Sequence, residues 1–285
     1  MTRKNDAKLT IAYQGVSGAN SHLACQATYP EMTPLSCATF EDLFAAVKSG
    51  QAIYGMVPIE NSVMGRVADI HNLLPESGLS IINEHFQPVR HNLLAIHGTT
   101  LEDIVRVESQ IPALSQCRNF IRANNFETFP AADTAGAARD VARKGDPTVG
   151  AIASELAAKI YKLKILATNI EDAEHNTTRF VIMCLEKDVP ILSQENNITS
   201  FIFRVRNVPS ALYKALGGFA TNNVNITKLE SYFVGGNFIA AQFYVDVEGH
   251  QDDDPVKLAI QELKFYSKEI KVLGSYPAHP FRKTK

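Results

Sequence analysis

The run VNITKLESYFVGGNFIAAQFYVDVEG (residues 224–249) reads as two strands joined at Gly235–Gly236. In its second half Ile239, Ala241, Phe243 and Val245 occupy alternate positions, the period of a strand that buries one face. A two-residue Gly-Gly connection suits a hairpin, because the tight turns of such loops require positive φ. Upstream, SFIFRVRN (200–207) is an apolar strand. It leads into PSALYKALGGFATNN (209–223), a helix with Leu212, Leu216, Phe219 and Ala220 on one face and Pro209 near its first turn. Downstream, Asp254 and Pro255 open a helix through Ile260 and Leu263, and KEIKVLGSY (268–276) is a last strand. The order is βαββαβ, a ferredoxin-like module.

Toward the N-terminus, the polar stretch EKDVPILSQENN (186–197) breaks the pattern, and the grammar before it is different. Short apolar runs alternate with helical ones, which predicts an α/β domain. LTIAYQ (9–14) is a strand entering the turn GVSGANS and a helix from about Ser21. TFEDLFAAVKSG (39–50) carries its own start and stop signals: Thr39 as N-cap, Asp42 three residues on, and Gly50 just past the end. Strands follow at YGMVP (54–58), LSIINEHFQPV (79–89), HNLLAIHG (91–98), IVRVES (104–109) and TVGAIAS (148–154). Helices are expected after ENSVMGR (through Leu73 and Leu74), from Leu114 to Ile121, over ADTAGAARDVARKG (132–145), and in SELAAKIY. This divides the chain into a domain over 8–185, a linker over 186–198 and a second domain over 199–277.

Composition narrows the function. A formal net charge of −2 over 285 residues leaves no basic excess to neutralise phosphates, which argues against nucleic acid as a partner. The first residues lead into no apolar h-region and no apolar run approaches a membrane span, so the expected location is the cytoplasm. Cys25, Cys37, Cys117 and Cys184 are scattered with no C-x-x-C pair, which reads as reduced, buried thiols. The eight histidines include no H-E-x-x-H spacing, so no metal is expected, and no nucleotide-binding glycine fingerprint is present.

Four segments place polar groups where strands end, the position at which open α/β sheets bind ligands. They are Glu60-Asn61-Ser62; Ser109 with Gln116 one helical face further on; Asp133-Thr134 at a helix start; and Asn176-Thr177-Thr178-Arg179-Phe180. Each has a plain structural reading as a cap, a turn or a polar strand entry. Together they make three helix starts and one arginine, with no strong base and no electrophile, which suggests a small carboxylated ligand held by amides and hydroxyls.

The order IAYQGVSGANSHLA, GMVPIENSVMGRVADIHNLL, SQCRNFI, DTAGAA, AIASELAAKIYKLKIL and HNTTRFVIM resembles the prephenate dehydratase domain. The run NVPSALYKALGGFATNNVNITKLESY resembles the ACT regulatory domain that follows it in that family, so the likeness extends over about 9–277. The resemblance implies a two-lobed catalytic domain like type II periplasmic binding proteins, with the active site in the cleft and crossings near Phe86–Arg90 and before Asn176. It implies a lyase that turns prephenate into phenylpyruvate, water and carbon dioxide, with arogenate as a related substrate, and that needs no cofactor. By motif, Thr178 donates to the leaving hydroxyl, while Asn61, Ser62, Ser109, Thr134 and Asn176 hold the carboxylates and ring. Gln116 supports them. Glu60 either orients these groups or pairs across the hinge, and Arg179 either grips a carboxylate or fastens the hinge.

The ACT resemblance implies phenylalanine as allosteric effector, bound between modules of a homodimer or homotetramer by Pro209, Ala211, Leu212, Asn225, Ile226, Glu230 and Ser231. Two departures from the family pattern matter. Ser109 begins S-Q-I-P-A-L-S-Q-C where S-H-P-Q-A-L-x-Q-C is usual, which puts contacts from 110–112 in question. Ser210 stands for glycine in P-G-A-L, and E-S-Y-F (230–233) stands for E-S-R-P.

Overall fold

A computed structural model describes residues 9–190, 196–206, 208–233 and 240–283. The chain divides into two compact units: up to Val67 with His85–Phe180, and Ala68–Glu84 with everything from Val181 on.

The first elements are β1 (Thr10–Gln14), α1 (Asn20–Thr28), β2 (Thr33–Cys37), α2 (Phe40–Lys48), β3 (Tyr54–Asn61), β4 (Gly65–Arg66), α3 (Ala68–Leu73) and β5 (Leu79–Pro88). There follow β6 (Asn92–Ala95), β7 (Arg106–Ser109), α4 (Ile111–Gln116), α5 (Arg118–Ala123), β8 (Glu127–Pro130), α6 (Thr134–Lys144), β9 (Val149–Ala153), α7 (Glu155–Tyr161), β10 (Lys164–Ala167) and β11 (Thr177–Leu185). One sheet has the order β2-β1-β3-β11-β5, with β4 paired to β3, and its β1–β2 and β1–β3 pairs are parallel. A second sheet has the order β10-β6-β9-β7-β8, parallel at β9–β7 and β7–β8 and antiparallel at β10–β6 and β6–β9. These two sheets are the centres of two lobes, the arrangement expected from the sequence.

Local chemistry accounts for the helix ends. In α2 the Thr39 hydroxyl accepts from the Asp42 amide while the Asp42 carboxylate accepts from the Thr39 amide, a reciprocal cap. Asp133 caps α6 through Gly136, and Gly145 ends it in the left-handed conformation. The helix expected over Leu114–Ile121 is instead two short helices broken at Cys117. The cause lies far along the chain: the Asp172 carboxylate accepts from the Arg118 and Asn119 amides and so caps α5 as a separate helix. The second lobe packs one apolar cluster under α6 and α7 (Ala135, Val141, Ala157, Leu163) and another under α4 and α5 (Val107, Leu114, Cys117, Ile121).

The remaining elements are β12 (Asn197–Val205), α8 (Ala211–Thr221), β13 (Ile226–Phe233), β14 (Ala240–Glu248), α9 (Asp254–Tyr266) and β15 (Ser267–Pro277). They form an antiparallel sheet of order β13-β14-β12-β15, the ferredoxin-like βαββαβ module read from the sequence. Phe201, Phe203, Phe219, Phe243, Val245, Val256 and Leu263 share its core, with Leu212 and Leu216 packed against them. Ala220, expected on the buried face of α8, is exposed; Ala215 and Gly218 occupy that face instead. The Gly235–Gly236 turn and Ile239 lie outside the described residues. Strand β15 packs closely on β5, since a Cβ at Gly274 would run into the Ile81 backbone.

Candidate functional site

The chain passes from the first sheet to the second over 89–91, between β5 and β6, and returns over 168–176, between β10 and β11. The two crossings are bonded to each other. Val89 donates its amide to the Asn176 carbonyl at 2.8 Å, and Ile170 donates to the His91 carbonyl at 2.9 Å. The Glu171 carboxylate accepts from the Arg90 guanidinium at 2.8 Å and from the His91 amide at 2.9 Å. These bonds hold the Glu171 carboxyl below the usual carboxylate range against the opposing effect of its burial.

Beside these crossings lies a cleft of about 310 Å³ lined from both lobes. Its floor is a chain of side-chain hydrogen bonds. His91 Nε2 meets Gln116 Oε1 at 2.8 Å, and Asn176 Nδ2 donates to the same oxygen at 3.0 Å. Asn61 Nδ2 donates to Asn176 Oδ1 at 2.8 Å and to Thr178 Oγ1 at 3.0 Å. The direction of the chain is set at its far end. Asn61 Oδ1 accepts from the backbone amides of Val63 and Met64, both at 2.9 Å, so the NH2 group of Asn61 must face Thr178. Thr178 Oγ1 is therefore an acceptor toward the protein, and its own proton has no acceptor among the described residues. The half-buried hydroxyl lines the cleft as a donor.

The same logic fixes His91. With Gln116 Oε1 accepting from two sides, Nε2 carries the proton and Nδ1 does not. Burial pushes the imidazole pKa below its usual value, and the Gln116 bond and the Glu171 charge only partly oppose this. The ring is neutral at physiological pH.

None of the described residues lining the cleft is Lys or Arg. Positive potential comes instead from helix starts, whose first amides have no partner within the helix. Helices α1, α4 and α6 all begin at the cleft, bringing Asn20 and Ser21, Gln110 and Pro112, and Asp133 and Thr134 to its wall. Neither α1 nor α4 has a side-chain N-cap, whereas Asp133 occupies one amide of α6 through its 2.6 Å bond from Gly136. Such a site favours a small anion with several acceptor oxygens.

The structure sorts the residues singled out from the sequence. Thr178, Asn61, Gln116 and Thr134 line the cleft, and Asn176 is buried beneath them as the link between Gln116 and Asn61. Four others, Ser109, Ser62, Arg179 and Glu60, do not line it. Ser109 is fully buried and donates to the Ile152 carbonyl at 2.6 Å, tying β7 to β9. Ser62 donates to the His175 carbonyl at 2.7 Å and accepts from the Thr177 amide at 2.9 Å, a clasp between the β3 end and the β11 start. Arg179 is buried, pairs with Glu60 at 3.0 Å and lies over the Phe86 ring at 6.0 Å, away from the cleft wall. Gln110 and Pro112, in the segment that departs from the family pattern, do line the cleft.

The model of the prephenate dehydratase family matches residues 11–188. This chain belongs to that family. It is similar to the bifunctional N-acyl-homoserine lactone acylase/prephenate dehydratase of Komagataeibacter europaeus, at 48% identity over 96% of this chain and 97% of the relative. It is similar to the Arabidopsis thaliana arogenate dehydratase/prephenate dehydratase 2, at 37% identity over 96% of this chain and 74% of the relative. Among solved structures, the Arthrobacter aurescens prephenate dehydratase in complex with L-Phe superposes with a TM-score of 0.86 at 29% identity, covering 94% of this chain and 90% of that one. The chain is thus a dehydratase of the carbon–oxygen lyase class, with two α/β lobes and a ferredoxin-like module.

Several cleft residues of this dehydratase carry no signal in the sequence. His91 is one histidine among eight, and only the folded geometry sets it against Gln116. Asn20 and Ser21 follow the Gly15–Gly18 turn at a helix start, which was visible as a turn and not as a ligand wall. The cysteines match the reading of reduced, buried thiols. All four are free and buried, and burial raises the thiol pKa of Cys25, Cys37 and Cys117 and pushes Cys184 up to about 11. No helix among the described residues is long and apolar enough to cross a membrane.

Proposed function

We propose that this dehydratase converts prephenate to phenylpyruvate in the cleft beside the crossings, with Thr178 as the group that assists departure of the ring hydroxyl. Prephenate loses its ring carboxylate as carbon dioxide. The electron pair of that C–C bond enters the ring, the C4–O bond breaks, and the oxygen takes up one proton to leave as water. Aromatisation supplies the driving force, so the protein's task is to bind two carboxylates, orient the ring and stabilise charge on the departing oxygen. The observation that carries this reading is the orientation of Asn61. By donating to Thr178 Oγ1 it turns that hydroxyl into a donor toward the cleft. Asn61 also makes the hydroxyl a better donor, because a bond accepted at the oxygen polarises its O–H.

The uncapped starts of α1 and α4, with Thr134 at the start of α6, are proposed to hold the carboxylates. Arg179 with Glu60, Ser62 and Ser109 act as structural ties rather than ligands, in keeping with their bonding within the protein. Purified protein assayed for phenylpyruvate from prephenate tests the reading, and absence of turnover removes it. Arogenate, which carries an ammonium where prephenate has a keto group, belongs in the same assay, since relatives named for both substrates share over a third of the sequence. A second reading adds hydrolysis of N-acyl-homoserine lactones. It rests on the 48% identity to a relative named as bifunctional, and release of homoserine lactone by the same preparation tests it.

The domain assignment proposed is catalytic over 8–185, linker over 186–198 and an ACT regulatory domain over 199–277, in a cytoplasmic homo-oligomer inhibited by phenylalanine. Two observations support regulation between copies. A solved relative is described in complex with L-Phe. Within one chain, Pro209, Ala211 and Leu212 lie at the start of α8 while Asn225 and Ile226 follow its end. An eleven-residue helix is about 16 Å long, so the two groups meet on one amino acid only if a second chain supplies one of them. Glu230 and Ser231 lie on β13, opposite Tyr244 and Phe243 of β14. Truncation after residue 197 with retained phenylalanine inhibition would remove this part of the proposal.

A further inference from the structure

The loop Gly15–Gly18 begins in the first lobe and ends against the second. On the first-lobe side, Gly15 donates its amide to the Cys37 carbonyl at 3.0 Å, and the Ser36 hydroxyl donates to the Gly15 carbonyl. On the other side, Val16 and Ala19 pack onto the apolar cluster of α6, α7 and β9. Two hydroxyls of α7 hold the loop backbone there. Tyr161 donates to the Ser17 carbonyl at 2.8 Å, and Ser154, the N-cap of α7, donates to the Gly18 carbonyl at 2.6 Å. Gly18 has φ +94°, and a Cβ on it would stand 2.8 Å from Ala157 Cα, so this approach of loop to helix requires glycine. The residues that follow directly, Ala19, Asn20 and Ser21, line the cleft.

The two crossings are therefore not the sole ties between the lobes. A third connection joins β1 to α7 through this loop, and it sits next to the uncapped start of α1. From this geometry we propose that Tyr161 is a positioning residue for the reaction: acting through the Ser17 carbonyl, it latches the lobes together so that the α1 start faces the substrate from a closed cleft. Tyr161 is not among the cleft-lining residues, and its effect reaches the substrate only through the loop. A ligand held from both lobes binds the closed form, so its apparent affinity follows the closed fraction. Loosening the latch raises KM and leaves the bound complex, and hence kcat, largely intact.

The inference rests on the dehydratase reading for its kinetic arm and is independent of it for its structural arm. Tyr161→Phe deletes one hydroxyl, and the loss of one neutral hydrogen bond corresponds to roughly a two- to tenfold change in the closed-to-open ratio. KM for prephenate is expected to rise within that range with kcat within about twofold of wild type. Gly18→Ala forces the loop away from Ala157 and is expected to raise KM more. Small-angle scattering of the substrate-free proteins is expected to give a larger radius of gyration for Gly18→Ala than for wild type. Wild-type KM in both variants, a loss of kcat at unchanged KM, or identical scattering profiles overturns the proposal. If wild type does not turn over prephenate, the dehydratase reading fails and the scattering comparison alone decides the latch.

Discussion

Asn61 donates to Thr178 across 3.0 Å, and it does so because two backbone amides, those of Val63 and Met64, hold the other end of its carboxamide. A turn that would otherwise be a routine chain reversal thereby sets the polarity of the proposed catalytic hydroxyl. Thr178→Ala is expected to lower kcat by roughly 10²–10⁴-fold, the usual worth of a proton donor in a transition state, with a modest change in KM. Thr178→Ser keeps the donor and should retain a good share of activity. Steady-state kinetics of the two variants decide the point, and a Thr178→Ala enzyme as active as wild type removes Thr178 from the mechanism.

The polarity itself can be reversed with one nearly isosteric change. In Asn61→Asp one carboxylate oxygen still accepts from Val63 and Met64, but the other now faces Thr178 Oγ1 as an acceptor. The threonine proton is then drawn to the introduced carboxylate and away from the cleft, while Asn176 Oδ1 loses its donor. Expected is a loss of at least about a hundredfold in kcat, approaching that of Thr178→Ala, since the same donor is removed. If orientation is irrelevant, Asn61→Asp will instead resemble Asn61→Ser, which retains a donor and takes the same assay.

The neutral His91 gives the fold a specific pH dependence. Burial lowers its pKa in the folded chain, so on acidification the unfolded chain takes up this proton first. The contribution is fully present above the unfolded value of about 6.5 and is lost progressively as pH falls below it. His22 and His279 are shifted in the same direction by burial and add to the slope. His91→Gln should therefore lose less stability than wild type between about pH 7.5 and 5.5, the span that brackets that titration, in denaturant unfolding at each pH. Equal losses would mean that His91 titrates alike in both states.

What the sequence made legible was whatever is written locally. Helix α2 carries Thr39, Asp42 and Gly50 within one segment, and the βαββαβ order follows from alternating strands and a Pro-led helix. What it hid depends on distant partners. The break at Cys117 is made by Asp172, and the clasp at Ser62 is made by His175 and Thr177. Strands β2 and β8 were missed because TPLSC and ETFP carry a proline each and little burial, so neither shows a two-residue apolar period. At the site, motif resemblance singled out Thr178 and Asn61. It left Arg179 between ligand and hinge; in the fold the side chain is buried, pairs with Glu60 at 3.0 Å and lies over the Phe86 ring.

A buried ion pair in the second unit should be costly to break from one side. The Glu84 carboxylate is fully buried and takes both Arg282 Nε at 2.6 Å and Arg282 Nη2 at 2.9 Å, with the His279 amide at 3.0 Å. The same guanidinium lies 3.6 Å from the buried Asp246 carboxylate. Arg282→Ala takes that cation away from two buried carboxylates and is expected to cost roughly 3–5 kcal/mol, as for other broken buried pairs. The double variant Arg282→Ala with Glu84→Gln removes one of those charges and should recover part of the loss. Calorimetric melts of the single and double variants check this, and additive effects would show that the pair is not coupled.

Ser210 stands at φ +62° and ψ 14° as the residue before α8, and its side chain makes no capping bond there. It therefore bears the left-handed cost of a Cβ without the return that a serine gives as N-cap. That cost is roughly 1–2 kcal/mol, while a glycine adds about 0.5–1 kcal/mol of backbone freedom to the unfolded chain. Glycine is also the residue of the family pattern P-G-A-L at this position. Ser210→Gly should thus stabilise the ferredoxin-like module by up to about 1.5 kcal/mol, the balance of those two terms. Denaturant unfolding gives the measurement, and a less stable Ser210→Gly would mean that the serine hydroxyl contributes more in this loop than its conformation costs.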